Sequence, residues 1–143
     1  MLSREHHVAL EVALRLQRAT DSDAEIVKRA AIDFWREDGR EHFRLEEDLL
    51  LPAFARHVGA DDGDVVRVLV EHVDIRRRMA DVEIEGRADV PALNALGELL
   101  RDHVRHEERT LFPRIEQALE PDELTALGTA LHARGGAHQP PRT

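Results

Sequence analysis

Cysteine is absent from the chain. That removes disulfides, thiolate nucleophiles, iron–sulfur ligation and Cys-type zinc sites together, so any metal must be taken by nitrogen and oxygen donors. Aromatic residues are scarce at 3%, and Ala, Leu, Val, Arg and Glu dominate instead, a balance that favours helices over strands. No stretch approaches the roughly 20 apolar residues of a membrane helix, and the opening Met-Leu-Ser-Arg-Glu-His-His lacks the apolar segment of a secretion signal. The expected address is cytoplasmic, with no membrane partner. Basic residues form no stripe but are interspersed with acidic ones, and the formal net charge is -9 at pH 7, which argues against nucleic acid as a partner.

What is present fits one all-α domain of 143 residues. Ser3 is placed as the cap of a first helix running to about Ala19, and Thr20-Asp21-Ser22-Asp23 supplies a turn and the next cap. A long second helix follows from about Asp23 to His57, with Gly39 as an irregularity inside it. The third is expected from about Asp64 to Glu85, ending at Gly86. Asp89 caps a fourth, with Pro91 in its first turn, continuing to about Leu119. Pro121 opens a short fifth helix ending near Ala133, before Gly135-Gly136. The sequence thus predicts an up-down antiparallel four-helix bundle with a short fifth C-terminal helix, a domain over 1–134 and a disordered tail over 135–143.

The chain repeats itself. Arg40-Glu-His-Phe-Arg-Leu-Glu-Glu-Asp-Leu-Leu-Leu-Pro52 aligns without a gap on Arg101-Asp-His-Val-Arg-His-Glu-Glu-Arg-Thr-Leu-Phe-Pro113. His42 pairs with His103, Glu46 with Glu107 and Pro52 with Pro113, and each proline should kink or end its helix. A weaker echo pairs Glu5-His6 with Glu71-His72. Two copies of a helical hairpin place equivalent side chains about one central axis.

Spacing along each helix at about 100° per residue puts His42 and Glu46 on the apolar face of Trp35, Leu45, Leu49 and Ala53. His103 and Glu107 fall among Leu96, Leu99, Leu100 and Leu111, and His72 among Val65, Val68, Leu69, Ile75 and Met79. On the first helix the stripe Leu2, Ala9, Ala13, Leu16 passes close to His6, whereas His7 falls toward Arg4, Glu11 and Arg18; His6 is taken as the inward group. A His and a Glu at i and i+4 share one face, so they can reach a single metal, or a carboxylate can bridge two metals while each imidazole binds its own. One inward histidine is usually a hydrogen-bonded core residue. Six inward groups are different, because each buried carboxylate costs several kcal/mol unless it is paired or bound to a cation. Imidazole with carboxylate suits iron, manganese or zinc. His106 sits at the edge of the core face and is read as a rim residue. Glu47 and Glu108 are read as solvated, Glu41 as flanking its helix, and His7, His57, His132 and His138 as surface or terminal residues.

Taken with the prolines downstream, the paired His-x-x-x-Glu motifs resemble those of the hemerythrin-like, or HHE cation-binding, family over roughly the first 119 residues. The resemblance implies a di-iron centre ligated by His6, His42, Glu46, His72, His103 and Glu107, with Glu46 and Glu107 bridging, and a ligand such as oxygen, nitric oxide or peroxide. Oxygen-carrying members have a second histidine one turn after the third-helix ligand. Here Arg76 stands there, permanently protonated and unfit as an ordinary ligand, and is read as paired with a core carboxylate. The leading expectation is a non-catalytic or weakly catalytic di-iron protein that binds or senses a small redox molecule. The alternatives are a di-iron oxidoreductase acting on peroxide or nitric oxide, and an iron store or donor.

Overall fold

A computed structural model describes residues 3–84 and 89–138, with side chains from His6 to Arg134 apart from 85–88. Among the described residues every regular element is a helix. Helix α1 is Ser3–Gln17 and α2 covers 24–58. Helix α3 is Gly63–Ile84, α4 covers 90–118, and α5 is Pro121–His138. The expected stop at Gly86 lies outside the described residues. Helix α5 passes through Gly135 and Gly136, where the sequence places the start of a disordered tail. A glycine costs about 1 kcal/mol in a helix interior, which weakens a helix without forbidding it. Residues 139–143 lie outside the described residues.

The turns follow local chemistry, with two departures. Asp23 precedes α2, but its carboxylate bonds backwards, accepting the Thr20 backbone N–H at 2.7 Å, and makes no side-chain cap. Asp89 likewise makes no side-chain cap to α4, where Pro91 lies in the first turn as expected. The second turn is built by Gly59, whose φ of 95° suits a residue without Cβ. Asp62 then starts α3 by accepting the backbone N–H groups of Asp64 at 3.0 Å and Val65 at 3.3 Å. Arg114 of α4 donates to Asp62 and to Asp64, tying this turn to α4.

Helix α1 lies close against α4. A Cβ on Gly97 would stand 2.6 Å from the Ala13 carbonyl oxygen and 2.7 Å from the Gln17 nitrogen, so the approach depends on glycine opposite an alanine. Three residues earlier, the Asn94 side-chain amide donates to the carbonyls of Leu16 at 2.8 Å and Gln17 at 3.1 Å, satisfying acceptors that the end of α1 leaves open. Helix α5 packs Leu127 and Leu131 into the core, and Arg134 reaches back to Asp48 of α2 at 3.0 Å.

Neither Pro52 nor Pro113 ends its helix. Each follows a five-residue π-helical turn, Glu46–Leu50 in α2 and Glu107–Leu111 in α4. The Leu51 N–H bonds to the Glu46 carbonyl and the Phe112 N–H to the Glu107 carbonyl, five residues back. A proline ring collides with the carbonyl four residues before it and offers no N–H. The wider turn accommodates both defects, and it begins in each repeat at the inward glutamate. A third π turn, Trp35–Gly39, contains the expected irregularity at Gly39.

The apolar core is divided. One cluster gathers Ala13, Leu16, Val27, Trp35, Met79, Leu96 and their neighbours. The other gathers Leu50, Phe54, Val68, Leu111, Ile115 and Leu127. Leu69, expected inside, is 39% exposed, in line with Val66, Val70 and Val73 on the outer face of α3.

Candidate metal centre

Among the described residues six ionisable side chains are buried, and all carry a role in the sequence reading: His6, His42, Glu46, His72, His103 and Glu107, each 7% exposed or less. Each of α1 to α4 contributes, and the two glutamates come from the first positions of the π turns that precede Pro52 and Pro113. His7, by contrast, is exposed and faces Glu11 at 3.5 Å. The choice between adjacent histidines on α1 follows from the apolar stripe.

The donor atoms converge in two groups. His6, His42, Glu46 and Glu107 form one; Glu46, His72, His103 and Glu107 form the other; within each group the donor atoms lie within 4.8 Å of one another. Both glutamates belong to both groups. Glu46 turns one oxygen toward His42 Nε2 at 3.4 Å and the other toward His72 Nε2 at 2.9 Å. Oε1 of Glu107 is 3.3 Å from Nε2 of both His6 and His103. Close as these contacts are, both oxygens of each glutamate and the Nε2 atoms of His72 and His103 have no hydrogen-bond partner of acceptable direction. Buried polar atoms without partners are rare. Here they share one small space, and lone pairs converging on a point are what a cation requires. The donor set therefore fits a metal.

Behind the donors lies a ring of carboxylates that the sequence reading missed. His72 Nδ1 is 2.6 Å from Glu47, His103 Nδ1 is 2.8 Å from Glu71, and His6 Nδ1 is 3.2 Å from Glu108. Glu47 is no solvated charge: Arg76 donates to both of its oxygens, at 2.7 and 2.9 Å. Arg76 thus pairs with a carboxylate as expected, but with the part-exposed Glu47 behind His72 rather than with a core carboxylate. Glu108 is 41% exposed at its side chain, yet it reaches His6. Each outer carboxylate is the sequence neighbour of an inward residue, and each serves a histidine on a different helix. The signal was available in the repeat, which duplicates Glu-Glu at 46–47 and 107–108 as well as Glu-His at 5–6 and 71–72. His106 is not among the converging donors; its Nε2 lies 3.2 Å from Asp64, at the rim. His57 meets Glu123 at 2.8 Å on the surface, His132 is exposed, and Glu41 lies 3.7 Å from Arg134. His138 lies beyond the described side chains.

The electrostatics follow from this crowding. Burial pushes the Glu46 carboxyl up, but the charge of His42 and the close approach of Glu107, His42 and His72 hold it well below the usual carboxylate range. Burial likewise acts against ionisation of Glu47, and the bonds from His72 and Arg76 outweigh it, bringing the group to about 2. His103 is pushed down by burial and up by Glu107, Glu71 and Glu46, which carry it to about 10. Without a cation, the carboxylates draw a proton into the core.

A small cavity opens on this cluster. His6, His42, His103 and Glu107 form one wall, and Ala9, Phe34, Asp38, Gly39, Phe43, Leu100 and Val104 complete it. Its volume of about 10 Å³ holds one water-sized body. Gly39 and Leu100 are equivalent positions of the repeat, as are Asp38 and Leu99, so the two halves of the chain differ where the cavity lies.

A bundle that turns histidines and glutamates from α1 to α4 onto a shared buried point defines a helical cation-binding domain. Residues 1–115 match the family model for the hemerythrin HHE cation-binding domain, and the chain belongs to that family. No curated protein and no solved structure matches it. Among the described residues, no helix is long and apolar enough to cross a membrane.

Proposed function

We propose that the protein holds a non-haem di-iron centre and uses it to bind or sense a small redox molecule such as oxygen, nitric oxide or peroxide. The observation that carries this reading is that Glu46 and Glu107 belong to both donor groups. Two cations sharing two carboxylates, each with its own pair of imidazoles, would use every inward residue and set positive charge beside both buried carboxylates. His6 and His42 would hold one iron and His72 and His103 the other. Iron in such a site supplies Lewis acidity and reversible electron transfer to a small ligand.

The residues of the chain do the rest. Glu47 and Glu71 accept the Nδ1 protons of His72 and His103, which fixes both tautomers with Nε2 free to face the metal. Phe43 stacks on His72 with ring centroids 3.8 Å apart and 5° between the planes, so the imidazole has little room to turn. The cavity beside His6 and His42 admits one water-sized body, a size that favours a small ligand over an organic substrate and so favours binding or sensing over turnover of a larger molecule.

Metal content and the visible spectrum test the reading. Protein produced with ample iron should contain about two irons per chain and show bridged di-ferric absorption that bleaches on reduction. About one iron would indicate that only half of the donor set is used, and none after reconstitution would sink the proposal.

A further inference from the structure

The core and the metal centre account for the inner face of α3 but not for its outer face. Along the inner face the buried positions recur at alternating steps of three and four: Val65, Val68, His72, Ile75, Met79 and Val82. A second series with the same alternation, Val66, Val70, Val73, Arg77, Ala80 and Ile84, runs along the roughly opposite side, and all six are exposed. Of the seven large apolar side chains exposed among the described residues, five stand on α3: four from this series and Leu69 beside it. Val70 is 61% and Val73 66% open to solvent. Valine is a poorer helix former than alanine or the long polar residues, so three valines on this face weaken α3 while burying nothing within one chain. A surface helix ordinarily carries one apolar stripe; two, each stepping at about 3.5 residues, are the pattern of a helix packed on both sides.

The charges along the stripe point to its partner. Asp61, Asp62 and Asp64 precede the valines, and Arg76, Arg77 and Arg78 follow them, so the face is complementary to a copy of itself running the opposite way. We propose that the outer face of α3 is the contact of a symmetric, antiparallel homodimer centred on Val70 and Val73. With the two-fold axis between these positions, Val70 of one copy lies against Val73 of the other, and Arg67 comes beside Asp74 of the other. The apolar stem of Arg77 covers Val66 of the second copy and carries its charge toward the acidic end. The ion pairs that Arg67 and Asp74 make within the chain, to Glu71 at 3.2 Å and from Arg78 at 3.1 Å, are partly exposed and weak, so both side chains can be shared across the axis. Pairing in the same direction would instead set Arg77 against Arg77. Arg114 already offsets part of the charge of Asp62 and Asp64. Charge therefore sets the direction, and the valines supply the adhesion. The contact does not depend on the metal.

Sedimentation equilibrium of the full chain over a concentration series is the test. Wild type should pass from monomer to dimer with a dissociation constant in the micromolar range or tighter. Val70→Glu places two unpaired carboxylates in the contact and should raise that constant at least about a hundredfold, with an unchanged circular dichroism spectrum. Val73→Lys, which introduces the opposite charge, should do the same and serves if the first variant is misfolded. The lack of native cysteine allows the direction to be read as well. An equimolar mixture of Val70→Cys and Val73→Cys chains, mildly oxidised, should form bridges from 70 to 73 in preference to like-with-like bridges, as identified by peptide mass. A wild-type chain that stays monomeric throughout the micromolar range, a dimer that survives both charged variants, or like-with-like bridging would each overturn the proposal. None of these outcomes bears on the metal reading, which metal content tests separately.

Discussion

Asp62 carries two loads at one turn: it starts α3 through two backbone N–H groups, and it takes Arg114 from α4 on both oxygens. The Arg114 bond, opposed by burial and aided by the backbone donors, holds its carboxyl at about 2, against about 3.9 in an unfolded chain. The folded state therefore binds fewer protons between those values. The stabilisation is complete above about pH 4 and is lost as pH falls toward 2. Asp62→Asn, which can still cap, should lower the urea midpoint of metal-free protein at pH 6, and the gap to wild type should narrow on going to pH 3; a constant gap would sink this account. Residues of this kind were only partly legible in advance. The six inward groups could be placed from spacing because burial has a 3.6-residue period. Glu47, Glu71 and Glu108 could not, because each lies on the flank of its helix, and periodicity does not say whether a flank faces water or the next helix. In a bundle, long side chains on the flanks reach neighbouring histidines.

At the level of the element, the informative feature is the π turn that precedes each proline. The sequence reading expected Pro52 and Pro113 to kink or end their helices, from the missing N–H and the ring clash, and both causes are real. The helices absorb them by widening one turn, an outcome that depends on packing on either side and so lies outside a local rule. The same packing accounts for His6 and His42 meeting despite unequal arms about the first turn, which differ by about six residues or roughly 9 Å of helix. Side chains lean toward their own N-terminus, so His6 reaches away from that turn and His42 back toward it, and the π turn at Trp35–Gly39 takes up chain as well. If the π turns set the inward glutamates, Pro52→Ala should restore an α-helical turn, stabilise the metal-free protein slightly, and weaken metal binding at Glu46. Paired melting and metal-affinity measurements would show the two effects with opposite signs; unchanged affinity would separate the turn from the site.

Over the whole molecule, the site lies between two apolar clusters, so the core is joined through its most polar layer. Without a cation, two buried carboxylates share one small space with little positive charge to offset them. Loading to a thousand times the dissociation constant should stabilise the fold by about 4 kcal/mol, or roughly 10 °C in melting temperature for a chain of this size. Melting followed by circular dichroism, before and after removal of metal with a chelator, checks this; coincident curves would mean that the core does not depend on the ion.

Gly39 and Leu100, matched by the repeat yet unlike in size, both line the small cavity. The duplication that built a symmetric set of donors was thus relaxed on one side only. A Cβ at Gly39 would stand 2.8 Å from the Trp35 ring and 3.0 Å from the Phe34 ring, so one half of the duplicated hairpin has no room for a side chain at the position where the other half carries leucine.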